Sequence, residues 1–568
     1  MGLRDYAGGL WRHVKKDFLH NTGSFLFIML YITVFQVIFG KENSIVGVSF
    51  TTLMLASMSR DMTAAPVKHL FVQAAVMLWM GAAACAVCVL PPLVGLPVNL
   101  LTMFFILYAF TYEYSSQFYF PYLLSYLFLI FIGPVPVERL PMRLLAQLAG
   151  AASIIVYQLA MGRHKARETV QDVLGGLLAQ ARASAGYLLT GERTPADLTQ
   201  ARAALRKLSR TIYDRRKKVL CVSDAAFAML DAGRGLESLI LKLLEHPKAK
   251  GQEEKAFLLA VINWLDNTDA YIRGECQAVP PAPNIDAPEH WSRHVLDMTS
   301  YIQEHLRQGH DKEKGCVYRP TALSLSVRLK AALDVSPVRV VYALRVSVLL
   351  SLAAALVLWQ GLPHGKWLLF TLASCSMPYA DEVKRKTGKR VAATLIGVLT
   401  AFVLFSLILS PTVRTVFIML FGYVSFYFSG YTGSFSCATV GAVGGAVMTC
   451  FGWEAVGAMA LVRVGYILAG ALLALAVNCL VAPYTLSAAT KQLVKKYAQT
   501  TKLLSNVCQA ENPDPQLYYS LVIQSHLMEE KLVNNAAGTE WDRKMDALLI
   551  GGRRAIRNAH LKRAKESP

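Results

Sequence analysis

Apolar and charged residues alternate along the chain in four long stretches. Apolar residues concentrate in residues 24–161 and 340–483, and charged residues concentrate in 162–338 and 485–568. A helix needs about 20 apolar residues to cross the hydrocarbon core of a bilayer, because every backbone polar group must be bonded within the helix there. The pattern therefore predicts an all-α, polytopic membrane protein with two apolar blocks, a soluble helical middle and a soluble helical tail.

Each apolar block has room for six membrane-spanning helices. In the first block they are predicted at residues 24–39, 44–58, 69–90, 99–111, 118–133 and 143–161. In the second block they are predicted at residues 340–361, 366–380, 391–409, 413–430, 434–451 and 462–483. The predicted domains are accordingly 1–161, 162–338, 339–484 and 485–568.

The placement of basic residues predicts the orientation of these spans. Lys and Arg are more frequent in the short segments on the cytoplasmic side of a membrane. Arg4, Arg12, Lys15 and Lys16 precede the first span, and a second basic run separates the eighth span from the ninth. Both termini, the soluble middle and the tail are therefore expected in the cytoplasm.

The two apolar blocks predict an internal repeat. A shift of about 320 positions pairs Gly40 with Gly361, Phe50 with Phe370 and Arg143 with Arg463. Because each block has an even number of predicted spans, the two copies have the same orientation, which makes the repeat parallel. Transporters commonly place a substrate site between such repeats near the middle of the membrane.

The composition argues against several classes of protein. The formal net charge is +20, but acidic residues lie among the Lys and Arg, and no basic stripe is interleaved with aromatic residues, so nucleic acid is not expected as a partner. Cys85 and Cys88 have the spacing of metal ligands but lack a second ligand pair. No complete catalytic, nucleotide or metal motif is present, so neither an enzyme nor a cofactor is expected.

Cations and aromatic rings within the apolar blocks are the candidate substrate-binding groups. An anion that crosses a membrane needs fixed positive charge, and a ring-bearing anion also favours an aromatic lining. The candidate substrate-binding residues are Arg345, Arg463, Arg143, Tyr108, Tyr423 and Trp367. The sequence leaves two alternatives open: the arginines extend to a membrane interface as anchors, and the aromatic rings pack helices together.

A basic run between the eighth and ninth spans is a second candidate feature. Its residues are predicted to form a short cytoplasmic loop that gathers anions: Lys384, Arg385, Lys386, Lys389 and Arg390. Membrane topology alone explains such a run equally well. The nearest carboxylates for coupling to protons are Glu113, Asp381 and Glu382, whose predicted loop positions also suit simple solvation.

The start of the second block carries a recognisable motif, HGKWLLFTLASCSMPYADEVKRKTGKRVAATLIG. In order and spacing it resembles the signature of the fusaric acid resistance family, also called aromatic acid exporters. The positions that carry the resemblance are Trp367, Thr371, Pro378, Lys384 to Arg390, Thr394 and Gly397. It departs from the family at Ala393, where a Gly is usual, and at Asp381 to Val383, where Gly-Ala-Thr is usual. The resemblance implies export of weak aromatic or other organic acids across the bacterial inner membrane, driven by the proton gradient.

Two other functions remain open at this stage. Plant aluminium-activated malate channels are distantly similar, which implies a passive organic-anion channel as an alternative. The soluble helices would also suit a membrane scaffold or regulator, for which Arg345→Ala and Arg463→Ala would leave the phenotype intact. The expected partners are a small organic anion and membrane lipids, and a homo-oligomer and a periplasmic adaptor are both left open.

Overall fold

The computed structural model describes most of the chain. The described residues are 3–58, 60–111, 118–162, 165–191, 197–216, 221–249, 251–285, 290–310, 318, 323–333, 335–510, 514–536 and 541–566. The fold is all-helical, with 85% of residues in helices. This confirms the predicted all-α class.

Twelve helices of the described residues lie in the two apolar blocks. The first six are α1 Leu3–Phe39, α2 Ser44–Ser57, α3 Pro66–Val89, α4 Pro92–Phe110, α5 Tyr119–Phe131 and α6 Leu140–Gly162. The middle segment contains α7 Lys165–Thr190, α8 Leu198–Asp214, α9 Asp224–Glu245, α10 Gln252–Arg273, α11 His290–His310 and α12 Leu325–Leu333. The six helices of the second block are α13 Pro337–Trp359, α14 Lys366–Cys375, α15 Ala380–Leu407, α16 Pro411–Val424, α17 Tyr431–Ala446 and α18 Trp453–Leu480. The tail contains α19 Leu486–Gln509, α20 Pro515–Ala536 and α21 Asp542–Glu566.

Not every predicted span is a full-length helix. Seven helical segments within the described residues are long and apolar enough to cross a membrane: α1 from Asp17, α3, α4, the region of α6, α13, α15 and α18. The other five helices are shorter, with 14 residues in α2, 13 in α5, 10 in α14, 14 in α16 and 16 in α17. At about 1.5 Å per residue, none of the five covers the roughly 30 Å of a hydrocarbon core.

Local sequence explains why the short helices end where they do. The α14 helix ends at Cys375, three residues before Pro378, and Pro disfavours helical backbone in the residue before it. Pro411 occupies the first position of α16, where its missing N–H costs nothing. Pro378 therefore limits α14 to a shorter helix than hydropathy alone predicts, and Pro411 fixes the start of α16.

The described residues form two compact units. The first unit contains residues 1–57, 68–156 and 335–489, and the second contains residues 58–67, 157–334 and 490–568. The four predicted domain boundaries remain predictions.

Both apolar blocks contribute to the first unit. The α13 helix packs against α4, and α14 packs against α5. Ring contacts support both pairings: Tyr342 lies edge-on to Tyr119 at 5.0 Å between centroids, and Phe370 lies edge-on to Phe128 at 5.3 Å. Within the second block, α15 packs against α17 and α18, and α14 packs against α18.

One pair of glycines related by the predicted repeat has positive φ in both copies. Gly40 follows α1 with φ of 87°, and Gly361 follows α13 with φ of 58°. Positive φ is a conformation that Gly adopts without steric cost. A glycine with positive φ thus follows the first helix of each block, while the repeat itself stays a prediction.

The second unit is a helical assembly of the middle segment and the tail. The α11 helix packs against α9, α10 against α7, and α20 against α8. The Gln516 side chain joins tail to middle, because it accepts from the Val222 N–H at 2.8 Å and donates to the Val222 carbonyl at 2.9 Å. Arg234 on α9 donates to Asp231 at 2.7 Å and to Tyr518 on α20 at 3.3 Å.

Candidate functional site: a buried cationic cluster

The basic run at residues 384–390 is helical, so the prediction of a loop is wrong. It lies in the first turns of α15, which begins at Ala380. Val383, Thr387 and Arg390 are buried because their i, i+4, i+7 spacing places them on one face of the helix. Lys384, Arg385 and Lys389 are exposed on the other faces, and Lys386 is half-buried. The five basic residues therefore do not act as one cluster.

Arg390 is buried between α15 and α17. Its side chain is only 4% exposed, and its guanidinium carbon lies 4.7 Å from the ring centroid of Phe435 on α17. Its Nε atom is buried and has no hydrogen-bond partner in the described part of the chain. One helical turn earlier, the Lys386 ammonium lies 3.6 Å from the ring centroid of Tyr431, also on α17.

Arg463 on α18 is buried in a similar way. It is 5% exposed, and its guanidinium carbon lies 4.6 Å from the ring centroid of Trp367 on α14. Its Nε atom is also buried without a hydrogen-bond partner among the residues that the structure describes. Arg390 and Arg463 lie close enough for their charges to repel each other.

The two guanidinium groups have no negative partner in the described residues. Among the described residues of the first unit, no salt bridge includes Arg390 or Arg463. A buried charge is costly unless it is paired, and two neighbouring like charges add to this cost. Cation–π contacts recover only about 0.5 to 2 kcal/mol each. We call Lys386, Arg390, Arg463 and the rings of Trp367, Tyr431 and Phe435 the cationic cluster.

Hydroxyl groups beside the cationic cluster also lack partners. Thr387 Oγ1 and the Tyr431 hydroxyl are buried with no hydrogen-bond partner in the described structure. Both can donate and accept hydrogen bonds, so both could contact a bound anion. The cluster therefore combines positive charge, unused donors and aromatic surface.

Small residues bring the helices around the cationic cluster together. A Cβ on Gly397 of α15 would lie 2.5 Å from the Ser436 carbonyl oxygen of α17, so this approach requires Gly. The Ser436 hydroxyl donates to the Ala393 carbonyl at 3.1 Å, and Ala393 is fully buried in this contact. Ala393 therefore fits at a position where the family usually has Gly.

A second close approach joins α14 to α18. A Cβ on Gly470 would lie 3.1 Å from the Leu368 carbonyl oxygen and 3.0 Å from Thr371 Cβ. This contact lies in the same pair of helices as the Trp367–Arg463 contact. The motif residues Thr371 and Gly397 thus position the cationic cluster through helix packing.

Arg345 lies within α13, and its side chain contacts two breaks between other helices. It donates to the Met377 carbonyl at 3.0 Å and to the Ala482 carbonyl at 3.1 Å, which lie after α14 and α18 respectively. Its side chain is 6% exposed. Because helix ends leave carbonyl groups without partners, Arg345 stabilises these two breaks.

Arg143 makes a comparable contact in the first block. It is 1% exposed, and it donates to Asn43 Oδ1 at 2.6 Å and to the Glu42 carbonyl at 2.9 Å. Both acceptors lie in the short turn between α1 and α2. Arg143 and Arg345 are thus buried inside the protein, and each stabilises a connection between helices.

The two predicted tyrosines contact other partners. Tyr108 receives two hydrogen bonds at its carbonyl from Arg339, whose guanidinium carbon lies 4.4 Å from the Tyr108 ring centroid. The Tyr423 hydroxyl lies 2.8 Å from Thr22 Oγ1 on α1 and 2.5 Å from the Tyr427 hydroxyl. The structure therefore unites Trp367, Lys386, Arg390 and Arg463, but places Tyr108 and Tyr423 in other contacts.

Sequence reasoning also missed the buried cation Arg414 of α16. It is fully buried and donates to the carbonyls of Phe405 and Ile408, each at 2.7 Å, at the end of α15. It also donates to the carbonyls of Val447 and Cys450 after α17. Its position within an apolar segment was the available signal, since intramembrane charges are rare.

Glu113 lies outside the described residues. Of the other two candidate carboxylates, Asp381 is exposed and accepts a hydrogen bond from the Leu486 N–H at 2.7 Å, at the start of α19. Glu382 is half-buried on the first turn of α15, one turn before Lys386. Glu382 is therefore the candidate carboxylate that lies nearest along α15 to the cationic cluster.

A comparison with protein-family models identifies the part of the chain that contains the cationic cluster. Residues 352–477 match the family model described as fusaric acid resistance protein-like. This segment is fusaric acid resistance protein-like. The resemblance that the sequence motif indicated is thereby confirmed. No curated protein and no solved structure matches the chain.

The fusaric acid resistance protein-like segment includes every member of the cationic cluster, from Trp367 to Arg463. Arg345 and Arg143 lie outside it. Members of this family are transporters rather than enzymes. Together with the apolar helices, the match indicates a multi-pass membrane protein.

Proposed function

We propose that the protein exports small organic acids, aromatic acids among them, and that the anion passes the cationic cluster on its way through the membrane. The observation that carries the proposal is the pair Arg390 and Arg463, two buried guanidinium groups without a carboxylate partner in the described structure. An organic anion would supply the missing negative charge.

The shape of the guanidinium group suits this role. Its planar set of N–H donors matches the two oxygens of a carboxylate, and such charge-assisted hydrogen bonds are about twice as strong as neutral ones. The unpartnered hydroxyls of Thr387 and Tyr431 add further donors. The ring of Phe435 provides apolar surface for the body of the acid.

The exposed basic residues of α15 would support entry of the anion. Lys384, Arg385 and Lys389 point away from the buried face that carries Arg390. A group of like charges at the mouth of a path raises the local concentration of ions of the opposite sign. In this proposal the mouth faces the cytoplasm of a bacterium, both termini lie in the cytoplasm and the protein lies in the inner membrane.

Transport into inverted membrane vesicles tests the proposal. Vesicles that contain the protein are expected to take up labelled p-hydroxybenzoate. At equal protein levels, Arg390→Ala or Arg463→Ala is expected to lower the uptake rate at least about tenfold, because charge-assisted hydrogen bonds to the anion are lost. Arg139→Ala is the matched control, because Arg139 is exposed and paired with Glu42. Rates like wild type in both cluster variants would refute the assignment.

The same vesicles separate an exporter from a passive channel. An exporter driven by protons accumulates the acid above its outside concentration, and an uncoupler abolishes this accumulation. A channel only equilibrates the acid, with or without the uncoupler. In the exporter, Glu382→Gln is expected to reduce accumulation more than equilibration, because Glu382 is the candidate carboxylate nearest along α15 to Lys386.

A further inference from the structure

A cavity of about 450 Å³ lies within the second unit, which the proposed transport path does not use. Residues of α8, α9, α11, α20 and α21 line it, so it lies where the middle segment meets the tail. Its size falls in the range of roughly 300 to 1,000 Å³ that is usual for small-molecule sites.

The lining of this cavity is strongly basic. Seven cationic side chains and three carboxylates face it: Arg202, Arg206, Arg234, Lys242, Arg553, Arg554 and Arg557 against Glu237, Glu245 and Glu529. The His526 ring adds no charge near neutral pH, because burial and the neighbouring arginines lower the pKa of His526 to about 3.

All three carboxylates of the cavity are already paired. Glu237 accepts from Arg202 at 3.0 Å, and Glu245 lies 2.8 Å from the Lys242 ammonium. Glu529 accepts from Arg553 at 2.9 Å and from the Tyr497 hydroxyl at 2.8 Å. These pairs use the negative charge that the cavity contains.

Three arginines of the lining are left without a salt bridge in the described structure. They are Arg206 on α8 and Arg554 and Arg557 on α21. Arg234, the remaining cation, is satisfied by Asp231 at 2.7 Å. The excess of positive charge therefore comes from both sides of the cavity, the middle segment and the tail.

Apolar side chains complete the wall. They are Leu205, Leu241, Met298, Ile550 and Ile556, together with the ring of Tyr301. Ligand sites typically combine such apolar surface with a few polar groups that fix the orientation of the ligand. The cavity thus has room for an organic body beside its charges.

We propose that this cavity binds a small organic anion that carries at least two phosphate or carboxylate charges. A single negative charge would leave most of the unpaired arginine charge uncompensated, and arginine recognises both phosphate and carboxylate through paired N–H donors. Because the arginines come from α8 and α21, the ligand links the C-terminal helix to the middle segment. The site is separate from the cationic cluster and does not depend on the proposed transport.

Calorimetric titration of the purified full-length protein in detergent tests this site. ATP, which has a ring and several phosphate charges, is the first probe, pyrophosphate tests the charges alone, and p-hydroxybenzoate is the monoanion. We expect saturable binding of ATP and weaker binding of the monoanion. If neither ATP nor pyrophosphate binds at concentrations up to 1 mM, which corresponds to a binding free energy of roughly 4 kcal/mol, the proposal is overturned. It is also overturned if the monoanion binds as tightly as ATP.

A matched pair of double variants places the binding in the cavity. Arg206→Ala with Arg557→Ala is expected to weaken ATP binding at least tenfold. Arg182→Ala with Arg273→Ala removes the same charge from salt-bridged positions of the second unit outside the cavity and is expected to leave binding unchanged. Equal weakening in both doubles would mean nonspecific attraction and would refute the site.

Hydrogen exchange gives a second readout that does not need an affinity. ATP is expected to slow exchange in α21 and α8 together, because the ligand contacts both helices. The cavity double variant, if folded, retains its exchange rates without ATP but loses this protection. Protection confined to other helices would contradict the proposed location.

Discussion

The guanidinium of Arg463 lies over the indole ring of Trp367, with 4.6 Å between the guanidinium carbon and the ring centroid. The two residues come from α18 and α14, which approach closely at Gly470. The Trp367 ring also stacks with His364, at 4.7 Å between centroids. Trp367 is therefore a positioning residue that holds Arg463, rather than a free ring for a substrate.

Replacement of Trp367 tests this positioning role. Trp367→Leu is expected to lower transport of aromatic and aliphatic acids by the same factor, roughly 3- to 30-fold for a lost cation–π contact. Trp367→Phe, which keeps a ring, restores part of the rate. Trp359→Leu is the control, because Trp359 is 74% exposed. A loss confined to aromatic acids would show instead that the Trp367 ring stacks on the substrate.

Sequence pattern located the helices well but could not give their lengths. Each of the twelve predicted segments overlaps a helix, because apolar composition marks those regions. Pro378 then limits the length of α14, and hydropathy averaged over a window does not register such a single residue. The count of membrane-capable helices is therefore seven in the described residues rather than twelve.

The error at residues 381–390 has a physical explanation. A dense run of charge between apolar segments suggests a loop, but Asp381 and Glu382 in front of the basic residues are typical of a helix N-terminus. Periodicity within the run would have placed Arg390 on the buried face with Val383. That Phe435 and Tyr431 cover this face depends on packing between distant segments, which the sequence does not encode locally.

Arg414 is predicted to be essential for folding rather than for transport. Arg414→Met removes the donor from four carbonyls at the ends of α15 and α17. Val447 keeps a bond from the Cys450 N–H, but the other three are left unpaired, and each buried unpaired group costs about 1 to 3 kcal/mol. We expect loss of a monodisperse peak in detergent and a lower melting temperature. Arg139→Met, at an exposed position, should behave like wild type. A normally stable Arg414→Met protein would contradict this role.

Two glycines of α15 should respond in opposite ways to alanine. In Gly397→Ala the new Cβ would lie 2.5 Å from the Ser436 carbonyl oxygen, so α17 must move away and the melting temperature should fall. In Gly388→Ala the Cβ meets nothing within 4 Å, and alanine favours a helix over glycine by roughly 0.5 to 1 kcal/mol. Thermal unfolding of both variants in detergent measures the difference. Equal melting temperatures would mean that α15 and α17 do not approach this closely.

We predict that titration of Asp214, in the second unit, lowers the stability of the folded protein as the pH rises. Burial raises the pKa of Asp214 from 3.8 to about 6, although Arg60, whose Nε lies 3.5 Å away, opposes this shift. Between these two values the folded protein retains a proton that the unfolded chain has lost, so the free energy of unfolding falls from about pH 4 to pH 6 and then levels off. The full shift corresponds to at most about 3 kcal/mol. Asp214→Asn cannot titrate, and its melting temperature, followed by circular dichroism from pH 4 to 7, should decrease less than that of wild type. Parallel pH profiles for the two proteins would show that Asp214 is ionised in the folded state throughout this range.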